Sequence, residues 1–503
     1  MNNLIKFSIS TLILGASLTA SATDYYLVRP NWGNADEKWT PTRTEVSTTD
    51  NLFIDFQQRV ADQPASATYK SWNISYYLTA TDTASVANSL TFQNLYNSNG
   101  ASVDTVIEAK NTGTNGYFEV KDNININLST DYVTKVTWKN ATDASATMKE
   151  IKVGNAINIG SNVATTPAEA YINFGIRDKH IEKVSVKDIN VYEKSTFNVY
   201  ATTLNATGTI NIGDGSKLLA RGTTFNAGNI NISGTGSLSL GFGIDTATAA
   251  KQAIKNVKVG VITMTPTENS TSLPSLYLTN ENTLTNHSAS WNIKGISGNG
   301  SISTYAGETG NKAYIALAVN SGEEYNYIGA LKNVEILTAG AEHKGTQYLR
   351  GNNTNIGSVS IRSGTLYLNG KNMSGTYISF TNNIGKLGIV SEYSDYGVLN
   401  INTLALNNKA VLLLDISDAQ QDTVNATSQI SISGAFAIDF TLSDDVVLGK
   451  EYKIFTTEKL KHNNYIDDII TTNNKGYNTS FVLGADNKSL SVIFSVAVPE
   501  PAE

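Results

Sequence analysis

Apolar and polar residues alternate in short runs along most of this chain, and the runs come in copies. The segment GTINIGDGSKLLA at 208–220 recurs as GNINISGTGSLSL at 228–240, twenty positions later and in register. In each copy an Ile-Asn-Ile run and a run ending on Leu or Ala flank a turn, Gly213-Asp214-Gly215-Ser216 in the first and Ser233-Gly234-Thr235-Gly236 in the second. Side chains alternate across a strand, so Ile and Leu share one face and Asn takes the other. A unit this thin cannot bury its apolar face alone and has to stack on neighbours. The pattern predicts an all-β chain folded as a right-handed parallel β-helix, or β-solenoid. The outward Asn residues of successive rungs are expected to stack in hydrogen-bonded ladders. With ~20 residues per rung and about 4.8 Å between rungs, a rod on the order of 100 Å long follows.

The same grammar extends over 86–409, the expected solenoid. Leu90–Leu95, Gly116–Val120, Ile124–Ile126, Ile157–Ile159 and Val184–Val191 alternate between clusters of Asn, Gly, Ser and Thr. Ile-Asn-Ile recurs at 124, 157, 210 and 230, and Leu399-Asn400-Ile401-Asn402 repeats it near the end. Residues 245–259 (DTATAAKQAIKNVKV) break the alternation and predict a short helix or lateral insertion. Longer runs in 410–496 predict a β-rich C-terminal cap. Residues 23–85 are aromatic and irregular, with Thr40 to Ser85 expected as loops over an early sheet, and predict an aromatic N-terminal cap. Four of the five Trp (Trp32, Trp39, Trp72, Trp138) fall in the first third of the chain. Their rings are expected to cover the open first rung. The other reading is a platform on which sugar rings stack, which makes these four the candidate glycan-binding residues.

Composition narrows the chemistry. The net charge of −7 and the scatter of the few Arg leave no basic stripe for phosphates, which argues against nucleic acid as a partner. Zero Cys excludes a disulfide scaffold, a Cys-ligated zinc site and thiol catalysis. Met1 to Lys6 is a basic n-region, Phe7 to Leu18 an apolar run, and Ala20-Ser21-Ala22 an A-x-A site. Together they predict a signal peptide over 1–22, cleaved between Ala22 and Thr23 with Ala20 and Ala22 as the recognition pair, and hence export through the inner membrane. No other segment is apolar enough to cross a bilayer.

Parallel β-helices also carry polysaccharide lyases and hydrolases, so the carboxylates matter. Asp444-Asp445 and Asp467-Asp468 are the adjacent pairs, and each reads as a solvated turn. His180, His287, His343 and His462 are isolated from one another, and no H-E-x-x-H occurs. Asp214 in its turn offers one carboxylate, short of the six oxygens calcium takes. No catalytic residue, metal ligand or cofactor is expected.

The end of the chain resembles a known signal. Val498-Pro499-Glu500-Pro501 looks like the head of a PEP-CTERM sorting signal, in which the tripeptide precedes a transmembrane helix and a cluster of Arg. Residues 497–503 hold neither, so they read as a truncated stub, with Pro499, Glu500 and Pro501 as the motif and membrane attachment only through a helix missing from this sequence. Ser363-Gly-Thr-Leu-Tyr-Leu-Asn369 is similar to the S-G-T-L-x-L-x-G core of autotransporter-associated β-strand repeats. The order of segments over 410–494 resembles the close of autotransporter-like passengers. The resemblance covers roughly 350–501 and, more loosely, 200–240. No C-terminal run of barrel strands accompanies it. It implies an exported, repetitive bacterial protein, handled by export and sorting machinery and placed at the cell surface or outer membrane or released. It carries over no catalytic residue. The expected function is a non-catalytic structural or adhesin-like solenoid binding extracellular polysaccharide or host matrix glycans. A polysaccharide-degrading β-helix enzyme, and a glycan-binding module built on the N-terminal Trp and Tyr, are the alternatives.

Overall fold

The computed structural model describes residues 24–497 apart from 28–30, 33–38, 41–48, 56–70, 79–84, 97–100, 112–115, 130, 141–147, 161–167, 177–179, 193, 242–255, 279–289, 305–312, 382–383 and 464. Among the described residues every regular element is a strand, and nearly all pairing is parallel. The chain is a parallel β-helix.

One turn of the coil shows the construction. Ser195–Ile212 runs as a single bent strand along two faces and into a third. Its first part (195–199) lies on one face, 203–206 on the next and 210–212 on the last. The register breaks between Ala206 and Thr209 make the corner there. After the Gly213–Ser216 turn the chain returns to the first face as Lys217–Arg221, stacked on Thr196–Tyr200. We call these the front face (195–199), the groove face (203–206) and the ladder face (210–212).

The ladder face is the spine. Tyr25, Leu52, Leu90, Ile124, Ile157, Ile189, Ile210 and Ile230 pair in sequence. The column continues through Ile262 and Ile296 and, by later pairings, to Ile438 and Thr471. Sixteen parallel steps in all correspond to a rod of roughly 80 Å at ~4.8 Å per step. That is shorter than the repeat suggested. Along the ladder face rungs range from 19 residues (Leu349 to Leu368) to 38 (Leu52 to Leu90), because long connections leave the corners. The inward Ile, Leu, Val and Phe of all three faces form one continuous core.

The outward Asn of the Ile-Asn-Ile runs form the expected ladder. Asn158 donates to Asn125 (2.9 Å), Asn190 to Asn158 (2.7 Å), Asn211 to Asn190 (2.8 Å) and Asn231 to Asn211 (2.9 Å). Thr263 and Ser297 continue the column with their hydroxyls 3.3 Å apart. Asn158, Asn190 and Asn211 each donate one bond and accept another, so the inner amides of the ladder pair with one another.

Four features differ from the sequence expectations. The stacks begin at Asp24–Leu27, which pairs in parallel with Asn51–Asp55, and Ser71–Leu78 pairs with Asp104–Asn111, so strands of the coil lie where loops were expected. Residues 256–259, expected as part of a helix or insertion, are strand and stack on 224–227, while 242–255 lie outside the described residues. Leu399–Ile401 repeats the Leu/Ile-Asn-Ile pattern but sits on the front face, where Ile401 pairs with Met373 and Ala426. Alternation says which side chains point inward and not which face they line. Trp138 is the fourth, and its place in the core is described with the site.

The C-terminal end closes with antiparallel strands. Ser489–Ser495 pairs with both Glu451–Thr457 and Asn478–Leu483. Its Phe494 covers the last rung, 5.2 Å from the Phe440 ring and 6.1 Å from that of Tyr452. One buried polar residue fills a gap in the spine: Gln347 is 1% exposed, donates to Ile296 O (2.8 Å) and Tyr325 O (3.2 Å), and accepts from Ile296 N (3.0 Å). It bridges the rung at which direct pairing between 296–298 and 325–327 narrows to Gly298 and Tyr327.

Candidate glycan-binding groove

The four Trp singled out from the sequence do not form a described platform. Trp138 is 0% exposed and stands edge-on in an interior aromatic stack, 4.5 Å from Phe118 and 5.6 Å from Phe174, which continues to Phe197 at 5.1 Å. It is therefore a core residue and not a sugar-stacking surface. The alternation Lys135-Val136-Thr137-Trp138-Lys139 carried that signal, since Trp138 shares parity with buried Val136. Trp32, Trp39 and Trp72 lie in strands, and their side chains are outside the described residues. So are Ala20, Ala22 and Thr23 of the cleavage site and Pro499, Glu500 and Pro501 of the terminal motif.

The other sequence candidates are scattered. Asp444 and Asp445 sit in an exposed turn, Asp444 bonded to Lys475 Nζ (2.6 Å) and Asp445 to the Ser443 hydroxyl. Asp467 and Asp468 are likewise exposed in a turn. Asp214 accepts from Thr235 N (2.7 Å) and Thr235 Oγ1 (2.9 Å) on the next rung, and the Thr235 amide bond above all lowers its pKa. Its carboxylate is spent on rung stacking. Among the described residues no three His, Asp or Glu gather as metal ligands. His180 stands by Tyr200, far along the chain from His343, and His287 lies outside the described residues.

A groove of about 1260 Å³ runs along the groove face, and of the sequence candidates it contains only His343. Its axis follows the rod. Asn205, Asn226, Lys258, Asn292, Ala316, Leu337 and Ser360 stack in one column over seven rungs. The trough exists because small side chains occupy consecutive outward positions: Ala316, Ala318 and Ala339 form its floor with Leu337. Tyr314 stands on one side. On the other rise two corner loops that carry Asn320, Glu342 and His343.

Local chemistry holds these walls. Tyr314 is hydrogen-bonded to Glu335 on the next rung, and burial, then Glu335, pushes its phenol up to about 12, so it remains a neutral donor at physiological pH. The loop carrying His343 is pinned from the following rung by Ser363. Its Oγ lies 2.7 Å from both Gly340 O and His343 O and 3.0 Å from Ala339 O, a cradle for its single proton. Gly364 follows with φ +70, a left-handed conformation that glycine adopts freely, and Leu366 and Leu368 then enter the core. The Ser-Gly-Thr-Leu-x-Leu run is thus a corner device: a buried hydroxyl tying down the previous turn, a left-handed Gly, and two inward Leu. His343 Nε2 is 3.2 Å from Glu342 Oε1, while its buried Nδ1 has no partner.

Two contrasts separate the groove from the rest of the surface. On the ladder face the Asn amides satisfy one another, whereas the side chains of Asn205, Asn226 and Asn292 make no hydrogen bond among the described residues. On the groove face of earlier rungs the charges pair across strands: Glu119 takes Lys152 at 3.0 Å, besides Lys121 of its own rung, and Glu150 takes Lys183 at 3.1 Å. In the groove Lys294 is paired, with Glu323 at 2.6 Å, a bond that raises its pKa. Lys258 and Arg362 form no ion pair among the described residues.

Sequence reasoning missed every one of these residues except His343. Lys258, Lys294 and Arg362 are thirty-six and sixty-eight residues apart, and only the unequal rung lengths tell which of them share a face. No protein-family model matches this chain and no curated protein matches it, so what the groove does has to be argued from its own chemistry.

Proposed function

We propose that this chain is an exported, non-catalytic, adhesin-like rod that binds a polysaccharide lying lengthwise in the groove. The observation that carries this reading is the set of unpaired polar side chains (Asn205, Asn226, Lys258, Asn292) repeated at rung spacing above an alanine floor. A polymer of sugars matches that layout. Its hydroxyls suit open amides, its C–H faces suit Ala and Leu, and a pyranose repeat is about as long as the ~4.8 Å rung step. Each contact is weak, and a run of seven rungs multiplies them. Export rests on the signal-peptide pattern of 1–22, and surface placement or release on the resemblance of the C-terminal third. Acid–base hydrolysis needs two carboxylates flanking the scissile bond. The groove lining contributes one, Glu342, already engaged by His343.

A degradative enzyme is the second reading, favoured by the unpartnered Nδ1 of His343 at the groove wall. One experiment separates the two: purified protein is incubated with insoluble plant, microbial and mucin polysaccharides, and both retention and new reducing ends are measured. Retention without release is expected. Ala318→Trp and Ala339→Trp, which fill the trough from outward positions, are expected to abolish retention with the circular dichroism unchanged, as is Asn292→Ala in part. Release of reducing ends, or retention indifferent to all three variants, would overturn the proposal.

A further inference from the structure

We infer that the ligand of this groove is an acidic polysaccharide carrying carboxylates, a polyuronate, held by Lys258 and Arg362; the inference rests on the glycan reading of the same groove. The chain as a whole is acidic, with a net charge of −7, yet the groove lining carries Lys258, Lys294 and Arg362 against the single carboxylate of Glu342. Glu342 has its own partner in His343, and Lys294 is neutralised by Glu323. Two cations remain, both exposed and both without a carboxylate within ion-pair distance among the described residues. On earlier rungs of this same face lysines are answered by glutamates on the adjoining rung, as in Lys152 with Glu119 and Lys183 with Glu150, and Lys258 and Arg362 have no such answer among the described residues.

Their placement fits a chain rather than a point ligand. Lys258 stacks through Asn292, Ala316 and Leu337 to Ser360, and Arg362 stands two residues beyond Ser360, so the cations are four rungs apart, roughly 20 Å along the axis. Nothing charged and unpaired lies between them in the lining, and Ala316, Ala318 and Ala339 keep the path open. A polymer with a carboxylate on each sugar reaches both at once whatever its register. A single sugar reaches only one. The planar guanidinium of Arg362 suits a carboxylate bidentately, and the ammonium of Lys258 accepts any anion as a point charge.

The test measures affinity by calorimetry for polygalacturonate, for the same polymer with its carboxyl groups chemically reduced to alcohols, and for dextran sulfate. Polygalacturonate is expected to bind most tightly, to weaken as salt rises, and to lose about tenfold in the Lys258→Ala/Arg362→Ala double variant, a larger loss than the reduced polymer suffers from the same substitutions. Equal affinity for the native and reduced polymers, or a double variant that binds like the parent, would overturn this inference while leaving glycan binding intact. Dextran sulfate bound as tightly as polygalacturonate would overturn the assignment to carboxylates. Failure of every polymer to bind would overturn the glycan reading itself.

Discussion

Replacing Trp138 tests whether the aromatic residues of the first third are core or surface. The side chain is fully buried between Phe118 and Phe174, and its Nε1–H has no acceptor. Trp138→Ala removes the ring and leaves a cavity between two rungs, a change that costs about 3–5 kcal/mol in a packed core. Trp138→Phe keeps most of the stack and also deletes a buried donor that costs about 1–3 kcal/mol to leave unpaired, so lost packing and relieved desolvation nearly cancel and the net falls within about 1 kcal/mol. In a stacked array the damage is local, because each rung contacts only its neighbours. Hydrogen exchange is therefore the suitable assay. The Ala variant is expected to speed exchange in 116–120, 134–140 and 170–174, the strands that surround the ring, and the Phe variant to leave it near the parent. Retention on polysaccharide should be the same in both. An Ala variant with unchanged exchange, or one that loses glycan retention with its exchange intact, would refute the interior assignment.

Other outcomes follow from named contacts. Asn211→Ala breaks two rungs of the amide ladder, one bond donated to Asn190 and one accepted from Asn231, and should cost about 1–2 kcal/mol, seen as faster exchange in 189–191 and 230–232. Asp422 accepts from Gly397 N and Asp415 N at 2.7 and 2.9 Å, but burial pushes its pKa up to about 8. The unfolded group titrates near ~3.9, so the folded chain holds a proton that the unfolded chain releases between those values. Stability in the 397–423 region should thus be greatest below about pH 4 and fall by on the order of a few kcal/mol as pH rises through about 8, and Asp422→Asn should flatten that slope in pH-dependent exchange. In Gly388→Ala the new methyl would meet Tyr367 Cδ1 at 2.2 Å. Displacing that ring from its stack on Tyr348 (4.4 Å, 6° between planes) should reduce the near-ultraviolet dichroism and cost about 1 kcal/mol.

The coil itself was legible because alternation is a local signal. Ile124, Ile157, Ile210 and Ile230, read as equivalent from their neighbours, do stack on one face, and Asn125, Asn158, Asn211 and Asn231 do form the ladder. Face assignment was not legible where connections vary. Ile401 carries the same pattern on another face, and Lys258 and Asn292 are neighbours although thirty-four positions separate them, against twenty between Ile210 and Ile230. The groove is a consequence of small residues at Ala316, Ala318 and Ala339, and a lone Ala in a strand says nothing until its column is known. Trp138 shows the opposite failure: its parity with Val136 was written in the sequence, yet it was grouped with the N-terminal Trp expected to cover the first rung or to stack on sugar, and it lies in the core.

The most direct measurement is hydroxyl-radical footprinting of the protein with and without a saturating polysaccharide that retains it. Binding in the groove protects Tyr314, Leu337 and His343 and leaves Tyr171 and Tyr393, exposed elsewhere on the rod, at their free rates. Protection at Trp32, Trp39 or Trp72 with no change at Tyr314, Leu337 and His343 would contradict it and move the binding surface to the N-terminal aromatic region.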